Sequence, residues 1–169
     1  MKKLHLIRHG KSSWKEIELN DIDRPLKKRG IKNSKEIATS LVQSNTKPEV
    51  VFTSPAVRAF ETAKIISETL ELSNDQLVVN DKLYMPDFPN FLKCILYLDD
   101  QFSEVLMVGH EPSLSAIINH FTKSTIDKVI TASLTTLEFQ AENWKDISAG
   151  NLTTAYHTNR HDYKGFELT

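Results

Sequence analysis

Apolar positions along the chain fall into two kinds of run. Short continuous ones, Leu4-His5-Leu6-Ile7, Val50-Val51-Phe52 and Val105-Leu106-Met107-Val108, end abruptly in polar residues. They read as strands buried on both faces. Between them lie longer stretches with apolar residues at helical spacing. The pattern predicts strand Lys3–Arg8, a polar loop through Arg24, helix Gly30–Ser44, strand Val50–Thr53 and helix Pro55–Leu70. A short strand Leu77–Val79, a loop Tyr84–Pro89, helix Asn90–Leu98, strand Glu104–Val108 and helix Pro112–Phe121 follow.

The tail differs. Ala132–Phe139 is Thr-rich and alternates near its end, and Asn143–Ile147 and Leu152–His157 either add to it or return along it. Repeated strand-helix alternation implies a three-layer α/β/α sandwich with a mostly parallel central sheet, to which the tail adds an antiparallel edge strand. No repeat, low-complexity tract or Gly/Ser linker interrupts residues 1–169, so the expectation is one domain.

Three strand ends carry the candidate chemistry. The first run closes on Arg8-His9-Gly10, where glycine lets the chain turn away. The second leads into Ser54-Pro55-Ala56-Val57-Arg58-Ala59, with Ser54 read as N-cap, Pro55 at the first helical position and Arg58 in the first turn. The third closes on Gly109-His110, again with proline and serine before a helical pattern. Taken singly, Arg58 reads as a solvated helix arginine and His110 as a half-buried histidine bonded to backbone. Together they put Arg8, His9, Arg58 and His110 at the carboxyl ends of parallel strands, the rim where open α/β sheets bind ligands. Guanidinium forks match phosphate oxygens, and a neutral imidazole can attack phosphorus.

Arg8-His9-Gly10, Ser54-Pro55-Ala56-Val57-Arg58-Ala59 with Thr62-Ala63, and Gly109-His110 resemble the histidine phosphatase superfamily, the phosphoglycerate mutase-like group. Asp23-Arg24-Pro25-Leu26, with Gly30 beyond it, looks more like the small bacterial phosphohistidine phosphatases of the SixA type than the mutases. Many relatives carry threonine after that leucine, where this chain has Lys27, and the mutases' glutamate-glycine segment is missing. The resemblance implies a metal-independent phosphatase with His9 as nucleophile and no cofactor. Arg8, Arg58 and His110 would then hold the phosphoryl group. It also leaves the proton donor open between Glu111, where acid phosphatases of the group carry aspartate, and Asp87, near where the mutases keep their glutamate. Glu111 equally suits a helix dipole, and Asp87 a solvated loop.

Further candidates for the pocket are Arg24, if the loop before it folds over, or else a surface arginine made rigid by Pro25; Gly10, near which a backbone carbonyl would fix the His9 tautomer; and Ser54, as a phosphate donor or a plain cap. Ser12 and Ser13 come next, with hydroxyls or amides. A formal net charge of −1 gives no global pull toward nucleic acid or anionic membrane. The basic run Lys27-Lys28-Arg29 with Lys32 and Lys35 reads as a solvated helix start, or as steering for an acidic phosphoprotein. Cys94 is the one cysteine and reads as a core residue, so no internal disulfide or thiolate metal site is expected. His110-Glu111 does not continue into a zinc motif, since Pro112 intrudes and Leu114 stands where the second histidine belongs. His157 and His161 read as surface histidines. With no signal peptide or membrane-length apolar run, the expected location is cytoplasmic.

The resulting expectation is a phosphatase acting through His9 on a phosphohistidine-bearing signalling protein. The alternatives are a small-molecule or sugar-phosphate phosphatase, or a non-catalytic phosphate-binding module. Oligomeric state is left open.

Overall fold

The computed structural model describes residues 1–169 apart from 16, 17, 123, 160 and 169, and the backbone alone at 162–164. Strands β1 (Lys2–Arg8), β2 (Val50–Thr53), β3 (Leu77–Val79) and β4 (Glu104–Gly109) are parallel neighbours. They alternate with helices α1 (Lys28–Gln43), α2 (Val57–Thr69), α3 (Phe88–Leu96) and α4 (Ser113–Phe121). Strands β5 (Leu134–Phe139), β6 (Leu152–Asn159) and β7 (Asp162–Glu167) then run antiparallel in succession beside β1. The sheet order is β3-β2-β4-β1-β5-β6-β7, so five of the seven strands point the same way.

The continuous apolar runs explain the layering, because their residues serve two cores in alternation. Leu4, Leu6, Val50, Val105 and Met107 pack with α3, α4 and the buried Trp144. Ile7, Val51, Leu106 and Val108 pack with Ile37, Leu41, Ala59 and Ile66 of α1 and α2. A strand buried on both faces tolerates no polar alternation, which is why these runs look unbroken.

The tail contributes more than the single edge strand expected of it. Asn143–Ile147 does not join the sheet; its centre, Trp144–Asp146, is a 3-10 turn that seats Trp144 in the core. Its Nε1–H donates to the Phe102 carbonyl at 2.8 Å. His157 is not a surface residue either. It lies buried in β6, its Nδ1 bonded with Thr135 Oγ1 at 2.8 Å and its ring against Phe166. The alternation of β6 is mostly polar, so the sequence pattern marks it only weakly.

Register sets the site. Arg8 pairs with Gly109 and Thr53 with Val108. The residues just past them, His9, Ser54 and His110, therefore share one level of the rim. The His9 amide donates to the Gly109 carbonyl at 3.3 Å, and the Ser54 amide to the Val108 carbonyl at 3.1 Å.

Candidate active site

Gly10 lets β1 leave the sheet under α1. A Cβ on Gly10 would sit 2.7 Å from the Gly30 carbonyl oxygen and 2.8 Å from Ser34 Oγ, so only glycine permits this approach. The Gly10 amide donates to Thr62 Oγ1 at 3.0 Å, and that hydroxyl donates to the Arg58 carbonyl at 2.7 Å. One threonine thus ties the His9 turn to the start of α2.

Ser54 is not the N-cap of α2. The helix begins at Val57 with Ala56 as its cap residue, and the Ser54 hydroxyl instead accepts the Ala56 amide at 3.2 Å within the preceding turn. Its Oγ pairs with His110 Nε2 at 2.8 Å, and both residues are buried. Ser54 therefore orients a histidine.

His9, Arg8, Arg58, His110, Arg24, Ser12 and Glu111 line one pocket of about 420 Å³, with Lys11, Trp14, Asp21, Met85, Lys128, Ile130 and Thr131. His9 is buried, and its Nδ1–H donates to the Gly10 carbonyl at 2.7 Å. That bond leaves the lone pair on Nε2, which receives Arg58 Nε–H at 3.3 Å. Burial pushes the His9 imidazolium down to about 3, against the Gly10 hydrogen bond, and the charges of His110, Arg58 and Arg8 add to it. Burial thus outweighs the neighbouring arginine in keeping His9 neutral. Burial and then Arg58 lower His110 to about 4. Its ring lies 5.1 Å from that of His9, and its Nδ1 is buried with no hydrogen-bond partner among the described residues.

Arg24 does fold over the pocket. Ser12 bridges to Leu26, the Ser13 amide donates to the Pro25 carbonyl at 2.9 Å, and the Lys27 amide donates to the Lys11 carbonyl at 2.8 Å, closing the loop at its base. The Arg24 guanidinium is buried, donating from Nη2 to Ser12 Oγ at 2.5 Å and from Nε to the Ser13 carbonyl at 2.8 Å. It also lies 3.2 Å from the centroid of the exposed Trp14 ring.

The two proposed acids separate. Asp87 is exposed and caps α3, accepting the Asn90 amide at 2.9 Å; it does not line the pocket. Glu111 lines it, but Oε1 accepts the Val129 amide at 2.6 Å and Oε2 the Ser115 hydroxyl at 2.8 Å. The Val129 carbonyl in turn accepts Arg8 Nη1–H at 2.6 Å. Glu111 is thus a brace behind Arg8.

Sequence reasoning missed Asp21 and Tyr84. Asp21 accepts Arg24 Nη1–H at 2.7 Å on Oδ1, and Arg58 Nη2–H and the Tyr84 hydroxyl, each at 2.9 Å, on Oδ2. Its backbone carbonyl takes Arg58 Nη1–H at 2.5 Å. Burial opposes its charge, but the donors Tyr84, Arg24 and Arg58 prevail and hold the carboxyl at about 2.

This constellation can hold a tetrahedral anion against a neutral imidazole. Comparison with known proteins agrees. The family model of the histidine phosphatase superfamily (branch 1) matches residues 4–83. Over these residues, a little under half of its length, the chain is similar to that superfamily. The structure of the protein histidine phosphatase SixA complexed with tungstate shares the fold, with a TM-score of 0.78 at 21% identity over 93% of this chain and 96% of that one. A phosphoserine phosphatase of Entamoeba histolytica, solved with 3-phosphoglyceric acid, gives 0.65 at 16% identity over 95% and 99%. A mycobacterial glucosyl-3-phosphoglycerate phosphatase gives 0.62 at 16% over 87% and 95%. An uncharacterized chloroplastic protein of Arabidopsis thaliana is 24% identical over 160 residues, 88% of this chain and 71% of its own length.

Proposed function

We propose that this protein is a phosphatase that removes the phosphoryl group from phosphohistidine on partner proteins, through a covalent intermediate on His9. The observation that carries the reading is the state of the carboxylates. Among the described residues lining the pocket, Glu111 is held by Val129 and Ser115, and Asp21 is held ionised by two guanidiniums and a phenol. Neither is placed to hand a proton to a departing alkoxide. Imidazole is a far better leaving group and needs little such help.

In the first step the His9 Nε2 lone pair forms an N–P bond while the P–N bond to the substrate imidazole breaks, and the departing nitrogen takes its electron pair and then a proton from solvent. Arg8, Arg58 and His110 offset the charge on the phosphoryl oxygens. Water then attacks phosphorus, the His9–P bond breaks, and the water proton passes to His9 or to solvent. Three arginines lining the pocket supply the positive charge that a divalent ion supplies elsewhere.

A small-molecule ester substrate is the second reading, favoured by a pocket of about 420 Å³ lined by Lys11 and Lys128, which suits a compact anionic metabolite. The deciding measurement compares kcat/KM for a phosphohistidine protein, p-nitrophenyl phosphate and alkyl phosphates, each with and without chelator. Phosphohistidine should exceed alkyl phosphates by about 10² or more, the scale of missing general acid catalysis. Activity should survive chelation and fall with vanadate. Equal kcat/KM on an alkyl phosphate would replace the phosphohistidine reading with the metabolite one.

A further inference from the structure

Arg58 is 2% exposed, and its three nitrogens are all engaged: Nε with His9 Nε2, Nη1 with the Asp21 carbonyl, Nη2 with Asp21 Oδ2. A guanidinium this enclosed cannot swing away to find a ligand. Any phosphorus that His9 attacks must lie beside Nε2, and so within reach of Arg58. The anionic partner that Arg58 holds in the absence of ligand is therefore in competition with the substrate.

That partner also bridges the second buried arginine. One Asp21 oxygen takes Arg24, the other takes Arg58 and Tyr84, so the carboxylate spans the gap between two guanidiniums as an oxyanion would. Asp21 comes from the 3-10 turn Asp21–Asp23, itself without a buried residue, and its side chain is 37% exposed. The arginines are fixed by their surroundings; the carboxylate is the member able to yield.

We propose that Asp21 is a positioning residue that holds Arg24 and Arg58 side by side until a phosphoryl group arrives, and that its negative charge keeps the site's hold on phosphate weak. Two like charges drawn to the same guanidiniums repel at short range in a partly desolvated pocket. The consequence for turnover is product release: inorganic phosphate, left in the pocket after hydrolysis, meets an internal anion competing for Arg58. This rests on the phosphoryl reading of the pocket, and the test separates the two.

Inorganic phosphate binding is measured by calorimetry on the whole protein, wild type against Asp21→Asn, Asp21→Ala and Asp21→Glu, each first shown to melt cooperatively. Asp21→Asn and Asp21→Ala should tighten phosphate by about tenfold or more, a fraction of the interaction between unit charges a few ångströms apart. KM for p-nitrophenyl phosphate should fall with it, while Asp21→Glu, which keeps the charge, stays near wild type. A residue that merely supported the fold would weaken binding when removed. Equal or weaker phosphate binding in both neutral variants overturns the inference alone. If no variant binds phosphate, the phosphoryl reading of the pocket fails and takes the inference with it.

Discussion

Of the six histidines four are buried, two at the sheet rim and two within the sheet, and the pairs differ in what surrounds their rings. Within the sheet, His5 is satisfied at both nitrogens, by Thr136 Oγ1 at 2.9 Å and Glu104 Oε1 at 3.1 Å. His157 is bonded to Thr135 and packed on Phe166. At the rim, His9 binds backbone through one nitrogen and turns the other toward an arginine, and His110 keeps one nitrogen with no partner among the described residues. Buried polar groups are normally paired, so the partnerless Nδ1 of His110 is a departure from the rule. Burial alone does not separate a working histidine from a structural one.

Removing one member of each pair breaks that comparison most sharply. His9→Ala should reduce kcat by ~10⁴ or more, as loss of a nucleophile does. Phosphate binding should persist through Arg8, Arg58 and His110. An acid-labile phosphoenzyme should be trappable in the wild type and absent from the variant. His157→Ala should leave kcat per folded molecule intact and destabilise the chain by ~1–3 kcal/mol, read as a lower melting midpoint. His9→Ala retaining a tenth of wild-type turnover would remove His9 from the mechanism.

The rim was legible in sequence because each strand there is a continuous apolar run broken by a residue that has no place in a core. Arg8, His9 and His110 stand at those breaks, and Arg58 follows a helix start. Asp21 left no such trace. Its partners Arg58 and Tyr84 lie 37 and 63 residues away, and they meet only because the Ser12–Leu26 bridge closes the loop that carries it. Local reading also falls short at Ser54, which is not the N-cap it resembles, and at Glu111, whose two oxygens are each held by a donor. Both stand beside strand or helix ends where local rules predict capping or dipole roles, yet their hydrogen bonds go to a facing strand end and to a loop eighteen residues on. In the fold, the apolar parallel half was readable, whereas mostly polar β6 shows little alternation to read.

Titration sharpens the comparison at intermediate scale. His9 and His110 are lowered in the folded state to about 3 and about 4, against about 6.5 in an unfolded chain. Below pH 6.5 the unfolded chain binds protons that the folded one refuses. Stability should therefore fall as pH drops from about 6.5 toward 4, by roughly 1.4 kcal/mol per pH unit for each such histidine. Above 6.5 the pair adds no slope. His157, also lowered by burial, adds in the same direction. Denaturant melts at stepped pH should show the slope, and His110→Asn should reduce it by one proton's worth. Stability that stays flat from pH 6.5 to 4.5 would mean the rim imidazoles take up protons in the folded state, and the neutral nucleophile would be lost with them.

The smallest expected effect falls on the residue whose carboxylate could pass for a proton donor. Glu111→Gln keeps one acceptor oxygen, enough for the Val129 amide. The new amide nitrogen then meets Ser115, whose hydroxyl already has the Pro112 carbonyl at 3.0 Å as another acceptor and can turn to receive it. The brace behind Arg8 loosens without breaking. The cost should be about 1 kcal/mol or less, roughly a fivefold loss in kcat/KM. Since the effect travels through Val129 and Arg8 to the phosphoryl oxygens, it should be the same for phosphohistidine, p-nitrophenyl phosphate and alkyl phosphates. A general acid behaves otherwise: its loss slows alkyl esters by ~10²–10⁴ and spares good leaving groups. The ratio of aryl to alkyl rates in Glu111→Gln therefore reports whether this carboxylate faces the leaving group or the loop. An unchanged ratio fits a carboxylate pinned by two donors, whereas a steep rise would mean that substrate binding frees Glu111 from Val129 and turns a structural brace into the missing acid.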